Sequence, residues 1–437
     1  MSLKNREKAF LISLQIGIVA CAISVSLSQL FLFITVFFFI LTKRYKEVRF
    51  TPIFFLSIGI FGFYLISILS HTLTSGNFSL AASFKGSEFK DLLLFSAFLV
   101  IQSIKGEEEI RKVEKAFTIL LFVLIVTGFI SIFTQVRLSR LITDLIKPSP
   151  NWKYTHHYGD ILKIGIHLPI GLMNTHLTFA GIFLFFAPYV VFQFLFAVRD
   201  RKRVLYYLGI LIAFSSIALL NNARSALFGA GVSILIGFID LIFVQKYFSL
   251  KNTIKLLSIP ILLIAILGSL LVFNETTAKT IQPLLGQEKH TDSGRTFIWS
   301  STYPMIFENP VLGIGPGNYG KEVEKVRKNL SEKYTELLFF YEVTQRGHAH
   351  NDFLHLAAIA GIPALLFYAS LAAAICYYLL RPNQSRTDNL LFYGLIGFFF
   401  SGLFQCYFQD DEVVIVFWYL LGYFHFQKFN KSYDANR

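Results

Sequence analysis

The sequence predicts an all-α, polytopic membrane protein of about twelve transmembrane helices, and three observations carry that prediction. Of the 437 residues, 54% are hydrophobic and only 15% charged, whereas an ordinary globular chain is about 25% charged. The apolar residues gather into runs near the roughly 20 residues that one helical crossing needs. The basic residues gather between those runs, in alternate loops. Disorder, collagen and a disulfide scaffold are excluded, and Cys21, Cys376 and Cys406 all fall in or beside apolar runs.

The elements follow in order. Met1 to Lys8 and the apolar run behind it imitate a signal peptide, but the run continues to Leu41, too long for one. It reads instead as two short helices, about 9–25 and 27–42, with Ser24, Ser26 and Ser28 at the turn. Further crossings are expected at about 51–70, 90–104, 115–135, 177–197, 204–220, 224–245, 255–273, 351–380, 388–406 and 412–428. An even number puts both termini on one side. Loops on that side hold 23 of the 40 basic residues, in clusters such as Lys43/Arg44/Lys46/Arg49 and Arg199/Arg201/Lys202/Arg203. That side is therefore cytoplasmic. The net charge of +13 serves this topology and anionic lipid, and no nucleic-acid partner is expected.

Two long outer segments stand apart. Residues 1–273 carry nine helices and an outer loop at about 136–176. Residues 274–350 form a large outer loop, and 351–437 carry the last three helices and a cytoplasmic tail. Within the large loop, Trp299 to Phe307 reads as helical and Tyr319 to Phe340 as an amphipathic, charged helix. Long loops on a compact scaffold are where function concentrates.

Three outer residue sets bear on chemistry. Arg224 follows Asn221-Asn222-Ala223 and opens an apolar run rich in small residues, Ser225, Ala226, Gly229 and Gly231. It either snorkels to headgroups or, packed among helices, grips a phosphate with its guanidinium fork. Arg295 follows a glycine turn and shares a helical face with Trp299, four residues on; the alternative is a solvated arginine beside an interfacial tryptophan. His348, His350, Asn351 and Asp352 stand at the outer mouth of the run from Phe353. A histidine there is either a plain interfacial residue or a base that takes a proton from an attacking hydroxyl. His350 and Asp352 fall on different helical faces, and no paired-histidine metal spacing is present, so no metal or other cofactor is expected.

Other features are weaker. His176 opens a helix and is placed in the same outer cavity. Asp410-Asp411-Glu412 makes an acidic corner that pairs with the arginines, holds a cation or is a solvated turn. Gly313-Ile314-Gly315-Pro316-Gly317-Asn318 lacks the strand and spacing of a nucleotide loop and reads as a tight turn. Gly361-Ile362-Pro363 bends its helix near the middle.

With these residues in place, the chain resembles the bacterial O-antigen ligase and O-antigen polymerase superfamily. The resemblance rests on Asn222-Ala223-Arg224-Ser225-Ala226, Gly294-Arg295 with Trp299, Asn309-Pro310-Val311-Leu312-Gly313-Ile314-Gly315, and His350-Asn351 with Gly361-Ile362-Pro363. It implies a GT-C-like membrane glycosyltransferase in the inner membrane, with its active site on the periplasmic face. It also implies an undecaprenyl-diphosphate-linked glycan as donor, and neither metal nor nucleotide sugar. Arg224 and Arg295 would then hold the diphosphate and His350 would activate the acceptor, with His348, Asn351, Asn222, Trp299 and His176 around the substrate. The departure is Thr175, where the family often carries proline before the histidine. One late large loop favours a ligase, whose acceptor is a lipid A–core sugar. The 136–176 segment keeps open a polymerase, and a protein O-oligosaccharyltransferase shares the chemistry. A transporter of lipid-linked or anionic solutes would need charges near the midplane, and here they sit at helix ends.

Overall fold

In the computed structural model, the protein is described over residues 2–74, 88–146, 154–161, 164–248, 289–381 and 390–430. The crossing expected at 255–273 and the first part of the large loop lie outside these residues. The N-terminal run is a helical hairpin of α1 (Leu3–Ala20) and α2 (Val25–Leu41). The turn falls at Cys21–Ser24, so Ser26 and Ser28 lie inside α2 rather than at the turn. Next come α3 (Pro52–Thr74), α4 (Leu92–Ile101), α5 (Gly106–Ile132) and α6 (Leu138–Ile146).

The outer segment then adds what an all-helical expectation omits. β1 (His157–Ile161) and β2 (Ile164–His167) pair antiparallel, with a bulge at His157/Gly159. Strands of five and four residues are too short for alternation to show in sequence. The Tyr158 hydroxyl donates to the Leu220 carbonyl at 2.8 Å, which ties this ribbon to the C-terminal end of the helix that closes at Asn221.

Four helices follow: α7 (His176–Phe183), α8 (Ala187–Asp200), α9 (Val204–Asn221) and α10 (Arg224–Ile239). The large loop contributes α11 (Lys289–Glu308), α12 (Tyr319–Lys333) and α13 (Leu338–Val343), and the chain closes with α14 (Asp352–Leu379), α15 (Tyr393–Ser401) and α16 (Asp411–His425). The expected single helix from Tyr319 to Phe340 is broken at Tyr334, whose backbone is extended.

Among the described residues, six helical stretches are long and apolar enough to cross a membrane: Pro52–Leu73, Gly106–Ile132, His176–Asp200, Val204–Asn221, Arg224–Val244 and Asp352–Leu379. The protein is a helical, polytopic membrane protein. Of the remaining apolar helices, α1 and α2 have about the expected length, whereas α4 and α15 are shorter than expected, and the packing of α16 shows why. Every residue from Val413 to Phe424 in it is buried by protein, Trp418 completely. A helix apolar on all sides belongs inside a bundle, and α16 packs on α4, itself only ten residues long. The expected helix at 388–406 likewise stops at Ser401, where the chain turns at Gly402.

Two close approaches fix the scaffold under the end of the bundle that holds the start of α10 and of α14. Helices α10 and α15 cross at Gly229 and Gly397: a Cβ on Gly229 would lie 2.2 Å from the Gly397 carbonyl oxygen. Small residues let the helix backbones meet, so Ser225, Ala226 and Gly229 are buried while Gly231 is exposed.

The second approach is a break in α14. Gly361 has φ 82° and ψ 172°, with Pro363 behind it, so the bend lies in the first half of the helix. The carbonyls of Ala358 and Ile359 lose their helical partners and accept instead from the backbone N–H groups of Ile314 (2.8 Å) and Gly315 (3.1 Å). Ile362 N–H donates to the Pro310 carbonyl at 2.8 Å. The Asn309–Gly317 turn thus fills the break, with Gly313, Gly315 and Gly317 all at positive φ. From α3, Ser67 donates to Leu312 O and the His71 ring bonds Gly313 O. Non-helical backbone inside a membrane protein survives only when protein satisfies it in this way.

Candidate functional site

The turn between α15 and α16, Gly402 to Gln409, gathers the candidate residues. Asp352, the first residue of α14, is fully buried and serves as its anchor. Its backbone N–H donates to Gly402 O at 2.7 Å, and its carboxylate accepts from Phe408 N–H at 3.0 Å and from the Tyr368 hydroxyl at 3.3 Å. Asn351 caps α14, its Oδ1 accepting from Leu354 N–H at 3.0 Å while its Nδ2 donates to Leu403 O at 2.9 Å. The start of α14 and the Gly402–Gln409 turn are therefore one unit.

His350 stands immediately before that cap with φ 49°, in the left-handed region that few non-glycine residues occupy. Its Nδ1 lies 2.5 Å from Gln405 Oε1, and its backbone N–H donates to His348 Nδ1 at 3.2 Å. The two rings meet edge to face at 4.5 Å. Gln345 holds His348 in turn, donating through Nε2 to His348 O at 2.7 Å and accepting from Gly347 and His348 N–H.

Arg295 is not preceded by a turn. It lies inside α11, because the helix begins at Lys289, ahead of Gly294. The four-residue spacing to Trp299 does place both on one face. The Trp299 indole donates to Ala349 O at 3.1 Å, one residue from His350, and its ring lies 6.4 Å from Phe404. Arg224 opens α10, and the same spacing recurs: Phe228, four residues on, meets Phe404 at 5.4 Å. Ser225, next to Arg224, lies 3.3 Å from the Tyr407 hydroxyl. The Arg224 and Arg295 faces thus converge on Phe404–Tyr407, while Gln405 between them reaches His350. Among the described residues neither arginine has a carboxylate partner, and a guanidinium without one is open to an anion.

Burial holds the His350 imidazole below the ordinary histidine value; Arg295 and Arg327 push the same way and the Gln405 bond opposes them. Burial takes His348 further, down to about 3, with His350 and His355 adding to the effect. At neutral pH both rings are uncharged.

The other expected residues are placed differently. His176 is half-buried at the start of α7, and its carbonyl, rather than its ring, is engaged, accepting from Asn221 Nδ2 at 3.1 Å. Asn221 also donates to Pro169 O at 2.7 Å, so it is Asn221 that locks the outer segment to α9. Asn222 is the left-handed residue, φ 53°, between α9 and α10. The acidic corner separates: Asp410 accepts from the Thr178 hydroxyl at 2.6 Å and caps α16 through Glu412 N–H. Asp410 is thus a tether and a cap, and no arginine touches it among the described residues.

Sequence reasoning missed Phe404, Gln405 and Tyr407. Phe404 and Gln405 fall in a run read as membrane helix and Tyr407 just beyond it, and Ser401-Gly402 is the available signal that the helix ends before them.

A helical membrane protein with two arginines that have no carboxylate partner among the described residues, and a neutral histidine at the same end, is the class that fold and site define. Residues 208–369 match the family described as O-antigen ligase, so this stretch of the chain is similar to that family. The matched stretch contains Arg224, Arg295, Trp299, His348, His350 and Asn351 and ends before the Gly402–Gln409 turn. No curated protein matches the chain.

Proposed function

We propose that the protein is an O-antigen ligase: it moves a glycan from undecaprenyl diphosphate to a sugar hydroxyl of lipid A–core at the periplasmic face of the bacterial inner membrane. The observation that carries this reading is the convergence of the Arg224 and Arg295 faces with His350 on one short turn. The twelve-crossing, GT-C-like topology with both termini cytoplasmic belongs to the same proposal. So does the division into 1–273, 274–350 and 351–437.

The chemistry follows from the hydrogen bonds. With Gln405 Oε1 accepting, the His350 proton sits on Nδ1 and Nε2 keeps its lone pair. Nε2 takes the proton of the acceptor hydroxyl as its oxygen attacks the anomeric carbon. The bond from that carbon to the phosphate oxygen breaks, and the diphosphate leaves with its electron pair, its growing charge met by Arg224 and Arg295. One displacement inverts the anomeric centre, and the chain's own residues complete it without a metal. His348 is spent accepting the His350 N–H, which favours His350 as the base. Trp299 and Asn351 hold the turn, and Asn222 and His176 line its approach from α9 and α7.

A polymerase, whose acceptor is another lipid-linked repeat, is the second reading. The β1–β2 ribbon favours it, being a further outer element pinned to the end of α9 beside Arg224. Lipopolysaccharide from a deletion strain complemented with His350→Ala separates the two. Bare core with accumulated lipid-linked polymer supports the ligase; core bearing a single repeat supports the polymerase; an unchanged ladder refutes both.

A further inference from the structure

Arg327 sits on α12, an otherwise charged and solvated helix of the large loop, yet it is fully buried. Its Nε donates to Ser301 Oγ at 3.1 Å on α11, and one terminal nitrogen donates to Gln345 O at 2.7 Å and Thr344 Oγ1 at 3.3 Å. The guanidinium stands 5.6 Å from the centre of the Phe297 ring, two residues from Arg295. No carboxylate touches it among the described residues, and its other terminal nitrogen has no partner. The neighbouring carboxylate, Glu324, is taken instead by Arg346 and by the Tyr341 hydroxyl. A lone buried cation is costly, and an apolar residue would pack there at less cost. The fork must therefore serve something an apolar side chain cannot, and its bonds say what. Gln345, whose carbonyl it grips, is the residue whose amide holds Gly347 and His348, and His348 holds the left-handed His350.

We propose that Arg327 is the positioning residue of the candidate base: through Gln345 and His348 it holds His350 in its left-handed conformation, facing the arginines. A non-glycine residue in that region persists only when its surroundings over-determine it, and the chain Arg327–Gln345–His348–His350–Gln405 does so from both sides. The kinetic consequence rests on the transferase reading; the tether does not.

The test uses the purified full-length protein and its Arg327→Met, Arg327→Lys and Gln345→Ala variants, with the double variant R327M/Q345A. A displacement near 1 Å at a reacting group costs roughly 10²-fold. Arg327→Met is therefore expected to lower kcat by about that factor while the KM for the lipid donor stays within about twofold. Lysine should not rescue, because an ammonium cannot span the three acceptors as a fork does. The double variant should fall no further than the worse single one, since both cut one chain. Losses that multiply, or a normal kcat in Arg327→Met, overturn the proposal. Should Arg327→Met fail to fold, a normal kcat in Gln345→Ala overturns it alone. Amide exchange over residues 344–351 is read in parallel. A wild type that transfers no glycan sinks the transferase reading; faster exchange there in Arg327→Met still supports the tether, and unchanged exchange overturns it.

Discussion

His350 concentrates the account at the scale of the residue. Replacing it by alanine removes a general base, for which a loss of roughly 10²–10⁴ in kcat is expected, measured with purified lipid-linked donor. Because burial lowers its pKa below 6.5, the neutral base survives into mildly acid solution. The acid limb of the kcat profile should therefore have its midpoint below pH 6.5. The sign for folding is the same: the uncharged native ring brings no penalty above that pH, and stability declines as pH falls through the lowered value. His348→Ala should leave this limb in place, since its own value near 3 keeps it uncharged throughout. Arg224, Arg295 and the His350-Asn351 pair were legible in sequence because charge at a membrane edge is rare enough to stand out. Gln405 and Tyr407 were not, because they lie more than fifty residues from His350, at the end of an apolar run and just past it, and only folding brings them together.

At the scale of the element, the break in α14 is the feature on which the candidate-site end of the bundle depends. Gly361 cannot be replaced freely: a Cβ would lie 2.2 Å from the Val311 carbonyl oxygen, and its φ of 82° is unfavourable for other residues. Gly361→Ala should destabilise the protein by at least about 1–3 kcal/mol, seen as a lower unfolding temperature in detergent. An unchanged midpoint would mean that the Asn309–Gly317 turn does not clamp the break. The bend itself could be read from Gly361-Ile362-Pro363. Its partner could not, because backbone-to-backbone bonds between distant segments leave no mark in residue type. Helix lengths failed at α4 and α15 for a related reason: both pack largely against protein, so apolarity does not report how far each one runs.

Across the whole molecule, charge and site separate to opposite ends. Arg199 donates to Tyr247 O, Gln245 to Arg381 O and Arg49 to Phe429 O, which brings several basic loops together, while Arg224, Arg295 and His350 gather at the other end. In a background without Cys21, Cys376 and Cys406, Lys202→Cys should be shielded from an impermeant maleimide in intact cells and Gly347→Cys labelled; labelling of both from one side would contradict the topology. The central claim, group transfer at the outer end, is tested most directly by incubating purified protein in detergent with undecaprenyl-diphosphate-linked glycan and lipid A–core. The account predicts glycosylated core of inverted anomeric configuration from the wild type and none from His350→Ala. Equal product from both, or wild-type protein that moves the donor across vesicles yet forms no glycosidic bond, would contradict it.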